Sequence, residues 1–212
     1  MKDLIRVALI ISLFIFTTWI LIPSSLNGCE SERIEAVDNS LNNKVLEAKA
    51  YTEEHSMNTD VCIFVDMSIH SGRKRLVLWD IQGDSTILAG LVSHGCGNAP
   101  WSSDETKTTP VFSNTPDSHL SSLGKYALRD RGWSSFGINI NYKLHGLETT
   151  NSNAFDRTIV FHSWEAVDDE EIYPYGTAEG WGCPAVSNDI MTQMDAQLRQ
   201  RDKPVLFWIY NN

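Results

Sequence analysis

A chain of 212 residues, 42% hydrophobic and 10% aromatic, is long enough for one domain with its own core plus extensions. Its 17 basic and 27 acidic residues give a formal net charge of −10, which argues against nucleic acid as a partner, because phosphate backbones are held by basic patches. An uncharged or zwitterionic polymer is not excluded.

Residues 1–22 differ from the rest. Met1 to Arg6 carries a small positive excess, and an apolar run from Val7 to Ile22 follows, interrupted only by Ser12, Thr17 and Thr18 and ended by Pro23. The run reads as either a secretory signal or a short membrane anchor, since it exceeds a minimal signal core and falls short of an ideal spanning helix. Leu26-Asn27-Gly28-Cys29 resembles a bacterial lipobox and makes Cys29 a lipidation candidate. Both readings predict export to the cell envelope, with membrane attachment through the N-terminal segment or a lipid. Residues 23–59 are polar. Val37, Leu41, Val45, Leu46 and Ala48 recur every three to four residues, which predicts a short amphipathic helix ending a tether; a plain solvated spacer is the alternative.

From residue 60 the pattern changes to strands. The runs 61–66, 75–80 and 86–93 are separated by turn residues around Gly72 and Gly83, as in antiparallel hairpins. The third run leads into His94-Gly95-Cys96-Gly97, and a histidine leaving a strand into a glycine loop is a candidate site residue. Ser118, Ser121 and Ser122 precede Gly124. Small hydroxyl residues beside glycine let a ligand approach the backbone, so Ser122 is a candidate contact. Residues 137–144 alternate with period two, as a half-buried strand does. After Cys183, Ile190, Met194 and Leu198 share one face of a helix over 188–198 with Ser187 as N-cap, and 204–210 closes the chain as a strand. The domain over 60–212 is expected to be mostly β.

The chemistry concentrates in two stretches. Thr158-Ile159-Val160-Phe161 delivers His162, and Gly180-Trp181-Gly182-Cys183-Pro184-Ala185 follows a loop rich in Gly, Tyr, Asp and Glu. Cysteine is the best side-chain nucleophile near neutral pH, and an imidazole in reach activates it. Gly182 before it permits a tight turn and leaves backbone N–H groups at Gly182 and Cys183 free to face a reacting oxygen. His162 precedes Cys183, opposite to the order of papain-like hydrolases. A sortase needs an arginine on a strand after the cysteine, whereas Arg199 and Arg201 fall at the end of the predicted helix. Cys62, Cys96 and Cys183 lack paired metal-ligand spacing, so no metal or organic cofactor is implied. After export, a Cys62–Cys96 disulfide would leave Cys183 free.

These landmarks carry a resemblance. From about Val61 to Tyr210 the chain resembles the L,D-transpeptidase catalytic domain (YkuD-like) family, in its divergent murein L,D-transpeptidase branch. The matching motifs are His94-Gly95, Phe112-Ser113-Asn114, Ser121-Ser122-Leu123-Gly124, His145-Gly146-Leu147-Glu148, Asn153-Ala154 with Arg157, the strand ending at His162, and Gly182-Cys183-Pro184-Ala185. The resemblance implies a β-sandwich or barrel with one or two short helices. It further implies a Cys183 thiolate, paired with His162, that attacks the peptide stems of peptidoglycan through a thioester. His94, Ser122, Arg157 and Trp181 are then substrate-binding candidates, and the carbonyl of Gly180 is a candidate for orienting the imidazole. The branch usually carries Arg-Ser where this chain has Glu179-Gly180. Loss of that arginine leaves Arg157, Arg129 and Arg131 to hold a substrate carboxylate. Transfer to an amine, hydrolysis as an L,D-carboxypeptidase, and a decayed wall-binding protein all remain open to the sequence.

Overall fold

The structure, a computed structural model, describes residues 40–212. The signal or anchor segment and Cys29 lie outside these residues. Residues 43–212 form one compact unit. The elements run α1 (40–54), β1 (Val61–Asp66), β2 (Leu76–Asp80), β3 (Ser85–Gly90), β4 (Gly124–Trp133), β5 (Ile140–Gly146), β6 (Val160–Ser163), β7 (Ala185–Val186), α2 (Asn188–Leu198) and β8 (Val205–Tyr210).

The strands form one sheet in the order β3-β2-β1-β8-β4-β5-β6-β7. β1, β2 and β3 are an antiparallel meander, as their turn residues predict. β8 returns between β1 and β4, parallel to the first and antiparallel to the second. β5 and β6 continue antiparallel, and β7 joins parallel to β6. The two ends of this order then meet. Beyond β3, Ser93 N–H donates to Ala185 O at 2.8 Å, Gly180 N–H to His94 O at 2.8 Å, and Cys96 N–H to Gly180 O at 2.7 Å. The sheet is thereby nearly closed into a barrel, and the closing seam is the segment that carries Cys183.

β1 and β8 are buried on both faces, so they read as continuous apolar runs rather than alternating ones. Val61, Ile63, Val65, Phe207 and Ile209 belong to the barrel core, together with Tyr126 and Leu128 of β4. The alternate residues Phe64, Leu206 and Trp208 are also buried. α1 lies against that outer face: Lys44 Nζ sits 4.3 Å from the Trp208 ring centroid, and Glu47 Oε1 accepts from Lys125 Nζ at 2.8 Å. The helix buries Val45, Ala48 and Thr52, whereas Leu46, expected on its apolar face, is 66% exposed.

α2 places Ile190, Met191, Met194 and Leu198 in the barrel core. Ser187 Oγ caps it by accepting the Ile190 N–H at 3.2 Å. The carboxylate of Asp195, on the same helix, receives Arg131 Nε at 2.6 Å and the Tyr142 hydroxyl at 2.7 Å. The Cys62–Cys96 disulfide does not form. Cys62 lies on the β1 face turned to α1, Cys96 sits at the barrel seam beside Gly180, and both thiols are free, as is that of Cys183.

Candidate active site

β6 and β7 are parallel neighbours, with His162 opposite Ala185 and Ser163 opposite Val186. This register brings His162 beside the residue two positions after Cys183, across a loop of some twenty residues. His162 and Cys183 line one cavity of about 150 Å³ with Ser93, Trp101, Phe136, Trp164 and Trp181. The Phe136 ring centroid lies 5.4 Å from that of His162, and Trp101 lies 4.8 Å from Trp164. Ser163 Oγ accepts the Ile138 N–H at 3.0 Å, which ties the turn bearing Phe136 to β6.

His162 Nδ1 lies 2.9 Å from Ser163 O. A carbonyl only accepts, so Nδ1 carries the hydrogen and Nε2 of the neutral ring is left with its lone pair. The orienting carbonyl is thus that of Ser163 and not that of Gly180, which instead accepts the Cys96 N–H in the barrel seam. Burial lowers the His162 pKa. Burial also pushes the Cys183 thiol up, against opposing pulls from the Val160 N–H and Arg157. Val160 N donates to Cys183 Sγ at 3.4 Å, and Sγ lies 3.8 Å from Thr158 O. Both shifts favour the neutral forms, a thiol and an imidazole.

Among the described residues, the N–H groups of Gly182 and Cys183 have no hydrogen-bond acceptor in the chain. Two unmatched donors beside a thiol are the arrangement that an oxyanion needs. Gly182 has φ +97°, and a Cβ there would lie 2.6 Å from Leu120 O. No side chain fits without moving the backbone. Gly182→Ala should slow acylation of Cys183 on the order of a hundredfold by displacing those donors, and destabilise the fold by about 1–3 kcal/mol; a mass-spectrometric time course and a thermal melt check both.

The other candidates divide. Trp181 is 61% exposed, stacks on His119 at 4.8 Å and separates the Cys183 cavity from a second one of about 370 Å³ lined by Asp117, Asp156, Arg157 and Thr158. Arg157 faces that second cavity, but its terminal nitrogens donate to Ser113 O, Ser118 Oγ and Leu120 O. It braces the 113–120 loop and contributes positive potential at Cys183. His94 and Ser122 do not line the Cys183 cavity. His94 is fully buried with both ring nitrogens engaged. Ser122 is buried, with its hydroxyl 2.9 Å from the Tyr126 hydroxyl. Arg131 is held by Asp195, and Arg129 stands 3.7 Å from Asp130; neither lines the Cys183 cavity.

With this geometry established, the comparisons with known proteins give it a family. The sequence family described as the L,D-transpeptidase catalytic domain matches residues 33–208. The chain belongs to the L,D-transpeptidase catalytic domain family. No curated protein matches it. Among solved structures, it is similar to Bd1075 of Bdellovibrio bacteriovorus, with 17% identity and a TM-score of 0.43 over 74% of this chain and 49% of that one. It is also similar to an L,D-transpeptidase from Xylanimonas cellulosilytica, with 13% identity and a TM-score of 0.38 over 72% of this chain and 61% of that one. The helical cell shape determining protein Pgp2 of Campylobacter jejuni is a third, with 13% identity and a TM-score of 0.44 over 72% and 49%. The chain spans about half the length of the first and third of these.

Within this L,D-transpeptidase domain, the Glu179-Gly180 departure has a structural account that sequence reading missed. A Cβ at position 180 would meet only Trp164 Cζ3, at 4.0 Å, so the backbone there has room for the Cβ of the serine usual in the family. Glu179 is fully buried. Its Oε1 accepts from Thr106 N at 2.6 Å and Thr106 Oγ1 at 2.9 Å, and Oε2 accepts from Ser103 Oγ at 3.4 Å. It clasps the 101–107 loop, which carries Trp101, to the segment that leads to Cys183. Thr106 Oγ1 in turn lies 2.8 Å from His94 Nε2, and His94 Nδ1 lies 2.9 Å from Arg75 Nη2. Guanidinium only donates, so Nδ1 accepts and Nε2 carries the hydrogen that goes to Thr106. A neutral imidazole therefore links buried Arg75 to buried Glu179. Burial and the Arg75 charge push the His94 pKa down to about 3, consistent with a neutral ring.

Proposed function

We propose that the protein is an exported cysteine L,D-transpeptidase that acts on the tetrapeptide stems of peptidoglycan in the bacterial cell envelope, attached through its N-terminal segment or a lipid. The observation that carries this reading is the convergence of Cys183 and His162 on one cavity beside the two unbonded N–H groups of Gly182 and Cys183. His162 Nε2 takes the thiol proton as Cys183 Sγ attacks the carbonyl of the link between the L-centre and D-alanine. The S–C bond forms, and the carbonyl oxygen becomes an oxyanion facing the two N–H groups. Collapse breaks the C–N bond, His162 returns its proton to the leaving D-alanine amine, and a thioester remains. An amine from a neighbouring stem then attacks the thioester, His162 takes its proton, and the C–S bond breaks to release a cross-linked dimer and the thiol. Trp101, Phe136, Trp164 and Trp181 wall the cavity, which restricts water at the thioester and favours the amine.

The test is the intact mass of the soluble domain, residues 40–212, incubated with a tetrapeptide stem. The expected result is an adduct equal to the stem less D-alanine, followed by release of a dimer when stem is in excess. Free D-alanine without dimer would convert the assignment to L,D-carboxypeptidase. Tight stem binding with no adduct would make the protein a wall-binding module.

A further inference from the structure

Two buried serines outside the reacting pair grip the backbone on either side of Cys183. Ser121 Oγ accepts the Gly95 N–H at 3.1 Å and donates to Gly182 O at 3.1 Å. Ser93 Oγ accepts the Ala185 N–H at 3.0 Å and donates to Cys183 O at 3.3 Å. A hydroxyl has one hydrogen to give, and here each gives it to a carbonyl that adjoins the nucleophile. Ser121 is 1% exposed and Ser93 is fully buried, so water does not compete for either bond.

The consequence follows from peptide geometry. A trans peptide holds its C=O and N–H antiparallel in one plane. Fixing Gly182 O therefore aims the Cys183 N–H away from Ser121, and fixing Cys183 O sets the plane that follows. The two planes about one Cα define its φ and ψ, so together they direct both the Cys183 N–H and its Cα–Cβ bond. Gly182, at φ +97°, has no side chain to restrain its own rotation. The restraint comes from Ser121.

We propose that Ser121 and Ser93 are positioning residues for acyl transfer, holding the Cys183 N–H in the orientation that receives the oxyanion. This rests on Cys183 being the nucleophile. The experiment compares two reactions of the thiol. Acylation by the stem builds an oxyanion; alkylation by iodoacetamide is a displacement at carbon that builds none. Ser121→Ala should be acylated on the order of tenfold to a hundredfold more slowly, and Ser93→Ala at least several-fold more slowly, with alkylation within about twofold of wild type. Ser121→Thr, which keeps the hydroxyl, should acylate faster than Ser121→Ala. Thermal melting reports folding, and if Ser121→Ala does not fold, Ser93→Ala decides. Wild-type acylation rates in the alanine variants, or equal losses in both reactions, would overturn the proposal. A wild-type chain that is alkylated at Cys183 but never acylated would overturn the assignment of the nucleophile instead, which keeps the two failures apart.

Discussion

Cys183→Ala should yield no acyl adduct at any pH, whereas His162→Ala should acylate slowly at pH 7, by about 10²–10⁴-fold less than wild type, and regain much of its rate as the pH rises. The asymmetry follows from the resting protonation states. Burial holds the Cys183 thiol above its ordinary value and holds the His162 imidazole below its own, so neither group carries charge near neutrality. His162 then works as a general base during attack, and its role is replaced by hydroxide once the solution is alkaline enough to ionise the thiol directly. Two pH profiles check this. In the wild type, acylation needs neutral His162; because that pKa is lowered, the acid limb should have its midpoint below the ordinary histidine value of 6.5. Alkylation by iodoacetamide needs thiolate; because that pKa is raised, the rate should keep climbing past the ordinary cysteine value of 9.0. A flat alkylation rate from mildly acidic to neutral pH would show a preformed thiolate–imidazolium pair and sink the neutral-pair mechanism.

That His162 and Cys183 meet at one cavity was legible before the structure, through motif order. Periodicity located much of the surrounding barrel: the continuous apolar runs of β1 and β8, and α2 with its Ser187 cap, follow from local rules of burial and capping. Residue type beside glycine was a poor guide to the rest. His94-Gly95 and Ser122 near Gly124 look like ligand contacts because glycine permits close approach, but it permits approach by the chain as well. At Gly95 a Cβ would lie 2.2 Å from His119 O. What fills that space is a tertiary fact with no local signature. The same holds for Arg75, His94, Thr106 and Glu179, which are far apart in sequence and meet only when the barrel closes. Arg157 was legible as a cation near the site. That its fork is occupied by loop carbonyls was not, because backbone acceptors leave no trace in side-chain patterns.

Glu179→Gln should destabilise the domain by about 2–4 kcal/mol, because it removes one of the two anions that favour the buried Arg75 charge and weakens the charge-assisted bonds from Thr106. For a domain of this size that is a fall in Tm of about 5–15 °C. Arg75 is 1% exposed, and its other bonds go to Val92 O and Ile69 O, which are neutral. Asp66 and Glu179 are the anions that favour its charge, so glutamine at 179 leaves Asp66 alone in that role. Glutamine preserves the shape and keeps an acceptor for Thr106, so the loss isolates charge. Glu179→Arg, although it restores the residue usual in this branch of the family, should be worse than Glu179→Gln. It brings a second buried cation toward Arg75 through a histidine that resists protonation. The 101–107 loop should also loosen, since both Thr106 bonds to the carboxylate are lost in Glu179→Arg; limited proteolysis within that loop reads this directly. Trp101 rides on the loop and walls the Cys183 cavity, so slower acylation should accompany the cleavage. A Tm within about 1 °C of wild type in Glu179→Arg would show that the buried chain from Arg75 to Glu179 contributes nothing net. Gly180→Ser should leave both Tm and acylation nearly unchanged, because a Cβ there meets only Trp164 at 4.0 Å. Of the two departures from the family motif, only the one at 179 has been built into the fold.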